Sequence, residues 1–383
     1  MTIERTAIEA RVLASLEAGR IPVLLGGCGT GRTTLLRRLA DARSAASRYI
    51  DLAAVATTPE RCLLAVSGTP APRGMTAQAA FERLMDQFDR VDPAHGGRTF
   101  LFDEFQELRT FENFPGLRHV QRDFIARLAA SSNAFVLASR FTARAHRLLR
   151  EAPARFEVIH LAPLDVADVA ALARAKDGRA DWARAVAPSV QAISAGRVAY
   201  ATALLDAMAG AATSEAETAL AELFSPEGRL TALCRFSYEF RLHRARGYGA
   251  LKAILGILAD EEPLTLTDIA QRLHRTPGST KDYLSWLEDV DVLTVQRKKY
   301  AFDDPLVRLY VRLYAGAEPP TRDTVLLETR GYAADRLAQA QSAPAPAGEA
   351  SAPAAAQSAP AEPEAELVGS EPPSRDSGII EID

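Results

Sequence analysis

Short apolar runs alternate with helical patterns over the first part of the chain. The runs predict strands at residues 21–25, 49–52, 99–102, 134–139 and 156–161. Between them apolar residues recur every three or four positions, which predicts helices such as 33–46, 77–91 and 120–131, and residues 1–20 form a further amphipathic pattern. Strands that alternate with helices favour a parallel sheet covered on both faces. We therefore predict an α/β core over residues 1–161.

The pattern beyond residue 161 is helical, and it changes twice more. Residues 162–245 are alanine-rich and lack strand-like alternation, which predicts a small helical bundle. Over 246–316, helical stretches at 250–259, 267–273 and 280–289 precede two short strands at 292–296 and 299–302. Three helices followed by a hairpin are typical of a winged helix. Residues 317–340 continue as a helical or linker extension, and 341–383 are rich in Ala, Pro and Ser without aromatic residues, which predicts disorder.

The composition adds limits to this picture. The 383 residues are 48% hydrophobic and 25% charged, the balance of a soluble globular protein. The formal net charge of −4 is uneven, because residues 341–383 carry eight acids and one base. No apolar run approaches the ~20 residues of a membrane span. Cys28, Cys62 and Cys234 are far apart, which argues against a disulfide framework or a zinc site. With no apolar leader visible, we expect a cytoplasmic protein without membrane contact.

A glycine-rich segment after the first strand carries the strongest chemical signal. It reads Gly26-Gly-Cys-Gly-Thr-Gly31-Arg32-Thr33-Thr34 and has the spacing of the Walker A loop, G-x-x-x-x-G-K-[ST]. Glycines let backbone N–H groups turn toward phosphate oxygens, and the helix that follows adds its dipole. The residues predicted to bind a nucleotide are Gly26, Gly27, Gly29, Thr30, Gly31, Arg32, Thr33 and Thr34. Thr33 is also placed to ligate Mg²⁺, and a glycine-rich turn without a ligand is the alternative.

One position departs from this motif, because Arg32 stands where lysine is usual. Lysine presents a compact point charge, whereas arginine is a longer planar fork. Arg32 is still able to bind phosphate through two N–H groups. We therefore expect the departure to affect hydrolysis more than binding.

A second motif follows, in which an apolar strand ends in two acids, Thr99-Phe-Leu-Phe-Asp103-Glu104. After a phosphate loop, this is the Walker B pattern. It predicts that Asp103 holds Mg²⁺ and that Glu104 polarises the attacking water. The alternative is two solvated acids at a strand end.

Three further polar residues are candidates for the same site. Ser139 ends the strand 134–139 and is predicted to lie between the loop and the acidic strand, where it can orient the water. Arg155 precedes the last strand and is a candidate arginine finger for a neighbouring subunit in a homo-oligomer. Arg197 follows Gly196 at a helix start and is a candidate for contacting the nucleotide from the helical bundle. For each of them the alternative is a structural or solvated side chain.

These elements together resemble the AAA+ ATPases, and among them the archaeal-type ATPases that border the STAND NTPases. The shared segments are Tyr49-Ile-Asp-Leu52, His160-Leu-Ala-Pro-Leu164 and Phe302-Asp-Asp-Pro-Leu-Val-Arg-Leu-Tyr310. The resemblance implies a P-loop NTPase core at 1–161, a helical lid at 162–245 and a winged helix at 246–316. It also implies ATP and Mg²⁺ as ligands, with phosphate bound by Gly31, Arg32 and Thr33. The order of these parts is also similar to replication initiators of the origin-recognition type.

The predicted winged helix offers residues that suit duplex DNA. Ser279, Thr280 and Lys281 begin the presumed recognition helix and are predicted nearest to base edges. Phosphate contacts are predicted for the basic residues before that helix and in the wing, namely Arg272, Arg275, Arg297, Lys298 and Lys299. Glu288, Asp289 and Asp291 disfavour a DNA face unless they turn away. A winged helix used for protein contact is the alternative.

Three functions remain open from the sequence. The first is an ATPase that acts as a nucleotide-dependent switch coupled to DNA binding or partner recruitment. The second is a nucleotide-binding adaptor that does not hydrolyse ATP, and the third is a helper ATPase of a mobile element or defence system. The terminal segment Ile379-Ile-Glu-Ile-Asp383 is predicted to add a strand to the sheet of a protein partner, with an unstructured end as the alternative.

Overall fold

The computed structural model describes residues 5–42, 47–90, 97–211, 215–242, 245, 247–316 and 318–342. Residues 343–383, which include the 379–383 peptide and nearly all of the segment predicted to be disordered, lie outside the described residues. No helix within those ranges is long and apolar enough to cross a membrane.

A parallel sheet with helices on both faces forms the N-terminal core. In chain order the core contains α1 (Thr6–Glu17), β1 (Ile21–Leu25), α2 (Arg32–Ala42), β2 (Ser47–Asp51), α3 (Leu52–Val55), α4 (Pro59–Ser67), α5 (Ala77–Gln87), β3 (Thr99–Asp103), a 3-10 helix (Phe105–Asn113), α6 (Val120–Ala130), β4 (Ala134–Ser139), α7 (Thr142–Leu149) and β5 (Phe156–His160). The strand order is β2-β3-β4-β1-β5, and every neighbouring pair is parallel. All five predicted strands are present, and the predicted α/β core is confirmed.

This strand order brings three strand ends together. β4 lies between β3 and β1, with Ser139 of β4 in register with Leu25 of β1. Because the strands are parallel, the loop after β1, the acids at the end of β3 and Ser139 all emerge at one edge of the sheet.

A cluster of phenylalanines fixes the end of β3. The ring of Phe88 makes edge contacts with four other rings at centroid distances of 5.2 to 6.3 Å, those of Phe100, Phe102, Phe124 and Phe135. β1 and β3 are buried along their whole length, because helices cover both faces of the sheet. Phe102 directly precedes Asp103, so this packing holds the strand end from which the two acids project.

Helices continue the chain after β5. The first set is α8 (Val166–Asp177), α9 (Ala180–Ser194), α10 (Val198–Gly210), α11 (Ala216–Leu223) and α12 (Arg229–Leu242). The second set contains α13 (Tyr248–Asp260), β6 (Leu264–Thr265), α14 (Leu266–Arg272), α15 (Pro277–Asp289), β7 (Leu293–Gln296), β8 (Lys299–Phe302), α16 (Pro305–Tyr314) and α17 (Arg322–Ser342). One apolar core contains residues of both sets, such as Leu204 in α10, Leu255 in α13 and Leu306 in α16.

The second set includes a small antiparallel sheet in the order β6-β8-β7. The β7–β8 hairpin turns at Arg297 and Lys298, whose φ angles of +51° and +64° suit a two-residue turn that matches the twist of the strands. The predicted hairpin is thus present. The third strand, β6, was not predicted, because two residues are too few to show a period.

Candidate functional site

The loop after β1 turns sharply into α2, and the start of α10 lies against it. Gly31 has a φ of +92°, a conformation that a side chain would strain. A Cβ at Gly27 would lie 2.6 Å from Nη1 of Arg197. The backbone N–H of Ala199 donates to the carbonyl oxygen of Gly29 at 3.0 Å. The glycines therefore permit both the turn and the close approach of the helical bundle.

Thr33 and Asp103, which come from the two separate motifs, are in contact. Oγ1 of Thr33 donates to Oδ2 of Asp103 at 2.6 Å, and the Tyr49 hydroxyl donates to the same oxygen at 3.1 Å. The other carboxylate oxygen, Oδ1, is buried and has no hydrogen-bond partner among the described residues. Burial raises the pKa of Asp103, and the hydrogen bond from Thr33 offsets part of this effect. An unpartnered carboxylate oxygen beside a threonine hydroxyl suits a hard divalent cation.

Glu104 is held by two arginines. Nη2 of Arg32 lies 2.8 Å from Oε1 of Glu104, and Nε of Arg140 lies 3.0 Å from the same oxygen. The backbone N–H of Arg140 donates to Oε2 at 3.1 Å. All three residues are buried. Both oxygens of Glu104 are thus engaged by protein donors in this conformation, and these contacts compete with a water molecule for the carboxylate.

Arg32 bends back over the loop. Its Nη1 donates to the carbonyl oxygen of Gly26 while its Nη2 reaches Glu104, so one guanidinium joins the start of the loop to the end of β3. A lysine has no such fork and does not make both contacts in this way. Of the other loop residues, Thr30 is buried and donates from Oγ1 to the carbonyl oxygen of Gly27 at 3.0 Å, whereas Thr34 is exposed on α2.

Arg140 is a site residue that the sequence analysis did not single out. Its guanidinium carbon lies 4.1 Å from the centroid of the Phe240 ring of α12. Burial lowers the pKa of Arg140, but the combined effects of Glu104, Cys28 and Glu107 outweigh it and leave this pKa raised. Its neighbour Ser139, the predicted candidate, is fully buried, and its Oγ accepts from the N–H of Phe141 at 3.1 Å. The sequence feature that could have identified Arg140 is its position directly after Ser139, at the same end of β4.

Arg197 joins the loop to the C-terminal elements. Its Nη1 donates to the carbonyl oxygen of Cys28 at 3.2 Å, and its Nη2 donates to Oδ2 of Asp303 at 2.9 Å. Its Nε lies 3.3 Å from Oδ2 of Asp304, which also accepts from the Tyr200 hydroxyl at 2.9 Å. Burial works against the charge, but Asp304 and Asp303 raise the pKa of Arg197. The structure therefore places Arg197 at the loop and adds two carboxylates that the sequence analysis did not connect with it.

Arg155 has a structural task within its own chain. It precedes β5 and lies at the opposite edge of the sheet from the loop. Its guanidinium donates to five backbone carbonyl oxygens, those of Gly19, Leu128, Ala129, Ser131 and Asn133. A side chain bonded in this way does not reach a neighbouring subunit, so its contacts do not support the arginine-finger role.

The residues predicted to contact DNA are exposed with one exception. The exposed ones are Arg272, Arg275, Ser279, Lys281, Arg297, Lys298 and Lys299. Thr280 is fully buried, and its Oγ1 donates to the carbonyl oxygen of Thr276 at 3.0 Å. The prediction that Thr280 lies at a base edge is therefore wrong. It failed because a threonine one turn into a helix bonds back to its own backbone.

Asp289 and Asp291 turn toward α7 of the core, while Glu288 is exposed. Arg147 of α7 pairs with Asp289 and donates from Nη1 to Oδ2 at 3.0 Å. Asp291 accepts hydrogen bonds from the first two backbone N–H groups of α7. Burial raises the pKa of Asp291 to about 6, although these hydrogen bonds lower it in part. Two of the three unfavourable acids therefore face away from the exposed basic residues.

The arrangement of core and helical bundle matches that of solved structures. The Walker-type ATPase of Pyrococcus abyssi gives a TM-score of 0.61 at 16% sequence identity, over 81% of this chain and 96% of that one. The ORC2 protein of Aeropyrum pernix, solved as ADPNP–ADP complexes, gives 0.50 at 15% identity, over 87% of this chain and 93% of that one. No protein-family profile and no curated protein sequence matches the chain. At these identities the likeness shows the fold alone, a parallel α/β sheet followed by helical elements.

Proposed function

We propose that the chain binds ATP with Mg²⁺ at the loop after β1 and works as a nucleotide-dependent switch. The observation that carries this proposal is the 2.6 Å contact between Oγ1 of Thr33 and Oδ2 of Asp103, with Oδ1 of Asp103 left without a partner among the described residues. Thr33 and Asp103 would hold the cation, and the loop N–H groups at the start of α2 would hold the phosphates. A bound Mg²⁺ supplies neutralisation of the charge on the phosphate oxygens.

In the conformation described, the contacts of Glu104 favour ATP binding over ATP hydrolysis. Arg32 and Arg140 both pair with this carboxylate, and all three side chains are buried. A terminal phosphate at the loop competes with Glu104 for these arginines, since phosphate accepts bidentate hydrogen bonds from guanidinium as a carboxylate does. Glu104 would then be released to accept a proton from water. We expect hydrolysis to be slow, because it follows this exchange of ion pairs.

Arg197 supports the switch itself. Its guanidinium is shared between the carbonyl oxygen of Cys28 in the loop and the carboxylates of Asp303 and Asp304. A phosphate at the loop offers Arg197 a competing anionic partner. Release of Asp303 from Arg197 would loosen the segment between β8 and α16. Nucleotide state would in this way reach the C-terminal elements through one side chain.

The exposed basic residues support duplex DNA as the target of those elements. The hairpin turn and the start of α15 present Arg297, Lys298, Lys299 and Lys281 to solvent, whereas Asp289 and Asp291 face α7. We propose that residues 246–316 act as a winged helix that contacts DNA phosphates from this side.

ATP binding and turnover by the purified full-length chain test the proposal. Both are measured with and without duplex DNA, and Glu104→Gln serves as the control because it keeps the shape of the side chain and removes its charge. We expect ATP to bind and to be hydrolysed slowly, with turnover lost in Glu104→Gln. A wild-type chain that binds no ATP in the presence of Mg²⁺ would contradict the proposal.

A second function, a nucleotide-binding adaptor without hydrolysis, is favoured by the engagement of both Glu104 oxygens. The same experiment separates the two functions. If the chain is an adaptor, the wild type and the Glu104→Gln variant bind ATP with equal affinity, and neither hydrolyses it. A switch that hydrolyses ATP shows a difference between the two forms.

A further inference from the structure

An open cleft of about 740 Å³ lies between the 3-10 helix that follows β3, the start of α7, and the ends of α12 and α15. The described residues that line it do not include those of the loop after β1. Sites for small organic ligands have volumes of roughly 300–1,000 Å³. The cleft therefore has room for a ligand of its own, separate from a nucleotide in the loop.

Arg241 lines this cleft with two unused donors. Only 3% of its surface is exposed. Its Nη1 donates to Oγ of Ser237 at 2.8 Å, but Nε and Nη2 have no hydrogen-bond partner within the described part of the chain. These two nitrogens form one edge of the guanidinium, and this edge is suited to both oxygens of a carboxylate or phosphate group. A buried guanidinium with unsatisfied N–H groups is costly, so an anion here would stabilise it.

Gln106, on the wall formed by the 3-10 helix, has an unused acceptor. Its side chain is 7% exposed, and its Nε2 donates to the carbonyl oxygen of Phe141 at 3.3 Å. Its Oε1 is buried and lacks a partner among the residues that the structure describes. A ligand that also carries an N–H or O–H donor would satisfy this oxygen.

The charged groups of the cleft favour an anion. Three arginines and two acids line it, namely Arg109, Arg144, Arg241, Glu107 and Glu112. Glu112 lies 3.9 Å from Arg109. Burial, followed by the charge of Arg109, lowers the pKa of Arg144, and nearby aspartates offset this effect only in part. The positive charge around the cleft is thus not fully balanced.

Aromatic rings supply the apolar part of the walls. The rings of Phe141 and Phe240 have centroids 6.5 Å apart and an interplanar angle of 19°, and Trp286 of α15 adds a third ring. Aromatic faces bind flat rings by offset stacking or edge contacts. The cleft therefore combines a surface for a ring with groups for an anion and a donor.

We infer that the cleft binds a small aromatic acid, a flat ring that carries a carboxylate or phosphate group and an N–H or O–H donor. The anionic group binds Nε and Nη2 of Arg241, and the donor meets Oε1 of Gln106. The ring lies against Phe240 and Trp286. Nucleoside monophosphates and aromatic carboxylates share this chemistry. The inference does not depend on the proposed function, because the loop after β1 does not line the cleft.

Tryptophan fluorescence of the full-length chain tests the inference, since Trp286 is one of two tryptophans and lines the cleft. The probes are AMP for the nucleoside monophosphates and 4-hydroxyphenylacetate for the aromatic carboxylates. At least one of them should change the fluorescence, and which one does so identifies the source of the ligand. Trp286→Phe should abolish the change. Trp182→Phe, on α9, should keep it.

Probes that lack one part of this chemistry serve as ligand controls. Adenosine has the ring without the anion, whereas inorganic phosphate and acetate have the anion without the ring. Each should bind more weakly than the complete probe, because it leaves either the arginine or the aromatic wall without a partner.

The role of Arg241 is tested by titrating the active probe into variants. We expect Arg241→Gln to weaken binding by about 10-fold to 100-fold, the range of a charge-assisted hydrogen bond. Arg241→Lys keeps the charge without the fork, should lose only part of the affinity, and serves if Arg241→Gln does not fold. The matched control is Arg229→Gln on the same helix, where Arg229 is exposed and pairs with Asp206 at 2.8 Å. It should bind the probe as the wild type does.

Three results would overturn the inference. The first is that neither probe changes the tryptophan fluorescence of the wild type. The second is a change that survives in Trp286→Phe, because the probe then binds away from the cleft. The third is an affinity that stays the same in both Arg241→Gln and Arg241→Lys.

Discussion

Arg32 is both the residue that departs from the phosphate-loop motif and one of the two that occupy Glu104. Its fork donates to the carbonyl oxygen of Gly26 and, at 2.8 Å, to Oε1 of Glu104. The ammonium of a lysine has one nitrogen and is strongly hydrated, so it does not bridge these two acceptors in the same way. The arginine that replaces the usual lysine is therefore also one of the two side chains that pair with the Glu104 carboxylate.

We predict that Arg32→Lys raises the rate of ATP turnover. Lysine restores the usual point charge in the loop and removes one of the two guanidinium groups from Glu104. General-base catalysis is worth about 10²–10⁴-fold, so a gain of at least about tenfold is expected when the carboxylate is released. The measurement is phosphate release at saturating ATP, with Arg83→Lys on α5 as an exposed control. A rate equal to that of wild type would show that Arg32 does not restrain Glu104.

A second prediction at this scale concerns Cys28, whose lowered pKa favours the thiolate. Iodoacetamide should label Cys28 in the native chain, and ATP should protect it because the phosphates lie against the loop. Cys62 and Cys234 are internal controls, since both are buried and burial raises the pKa of each thiol. Peptide mass spectrometry after a timed reaction gives the rate for each cysteine. Labelling of Cys28 that is indifferent to ATP would argue against nucleotide in this loop.

At the scale of elements, the sequence predicted the strands and loops that have a recognisable pattern within their own residues. β1, β3 and β4 are apolar runs bounded by turn residues, and the loop after β1 carries its glycines at fixed spacing. β6, with two residues, has no period to detect. The place of Arg140 in the site depends on contacts between elements far apart in the chain, such as Phe240 against Arg140, and no local pattern reports such contacts.

Asp291 serves helix α7 as an N-terminal cap supplied by another part of the chain. Asp291→Ala should lower the free energy of unfolding by about 1 kcal/mol, the usual loss when a capping side chain is removed. Asp291→Asn should retain most of the stability, since an amide oxygen also accepts hydrogen bonds. Urea unfolding of the three chains at one pH checks this. Equal midpoints for Asp291→Ala and wild type would show that the cap contributes nothing.

The same residue predicts a pH dependence. Its pKa is about 6 in the folded chain against an ordinary value of 3.8, so between these pH values the folded state binds the proton that the unfolded state has released. Stability contributed by this group is therefore full below about pH 3.8 and is lost as the pH rises through 6. The difference in unfolding free energy between wild type and Asp291→Asn should shift against the wild type from pH 4 to pH 7. A constant difference would contradict the burial of this carboxyl group.

Across the whole molecule, Arg197 and Asp291 connect the core to the C-terminal elements at two separate points. Arg197 reaches Asp303 and Asp304 after β8, and Asp291 reaches α7 from the turn between α15 and β7. The first of these contacts also touches the loop, because Arg197 donates to the carbonyl oxygen of Cys28. The second contact joins the end of α15 to α7 of the core and does not involve the loop.

Competition for Arg197 predicts that Asp303→Asn binds ATP more tightly than wild type does. Removing this charge weakens the hold on Nη2 of Arg197, which keeps its hydrogen bond to the backbone carbonyl oxygen of Asp303 at 3.2 Å, and a gain of about threefold to tenfold is expected from one weakened ion pair. The control is Asp181→Asn on α9, whose side chain is exposed and pairs with Arg184 in its own helix turn. Calorimetric titration with ATP measures both variants. Weaker binding by Asp303→Asn would mean that Asp303 orients Arg197 rather than competing for it.

The basic hairpin turn predicts salt-dependent binding of duplex DNA. Changing Arg297, Lys298 and Lys299 together to alanine should weaken binding and flatten its dependence on salt concentration, by about 0.9 in logarithmic slope for each phosphate that the chain no longer neutralises. Arg184→Ala, an exposed change on α9, should leave the slope as it is. Fluorescence anisotropy over a range of salt concentrations gives the slopes. An unaltered slope in the triple variant would remove this surface as the DNA contact.

The cap on α7 also has a consequence for the order in which the chain is made. The first two N–H groups of this helix bond to a carboxylate that lies 149 and 148 positions later in the sequence. The ribosome synthesises the strands of the sheet long before it synthesises Asp291. Until then the first two backbone N–H groups of α7 lack this acceptor and are hydrated. The first turn of α7 is completed only after Asp291 has been synthesised. This helix of the core therefore depends for its N-terminal cap on a late part of the chain.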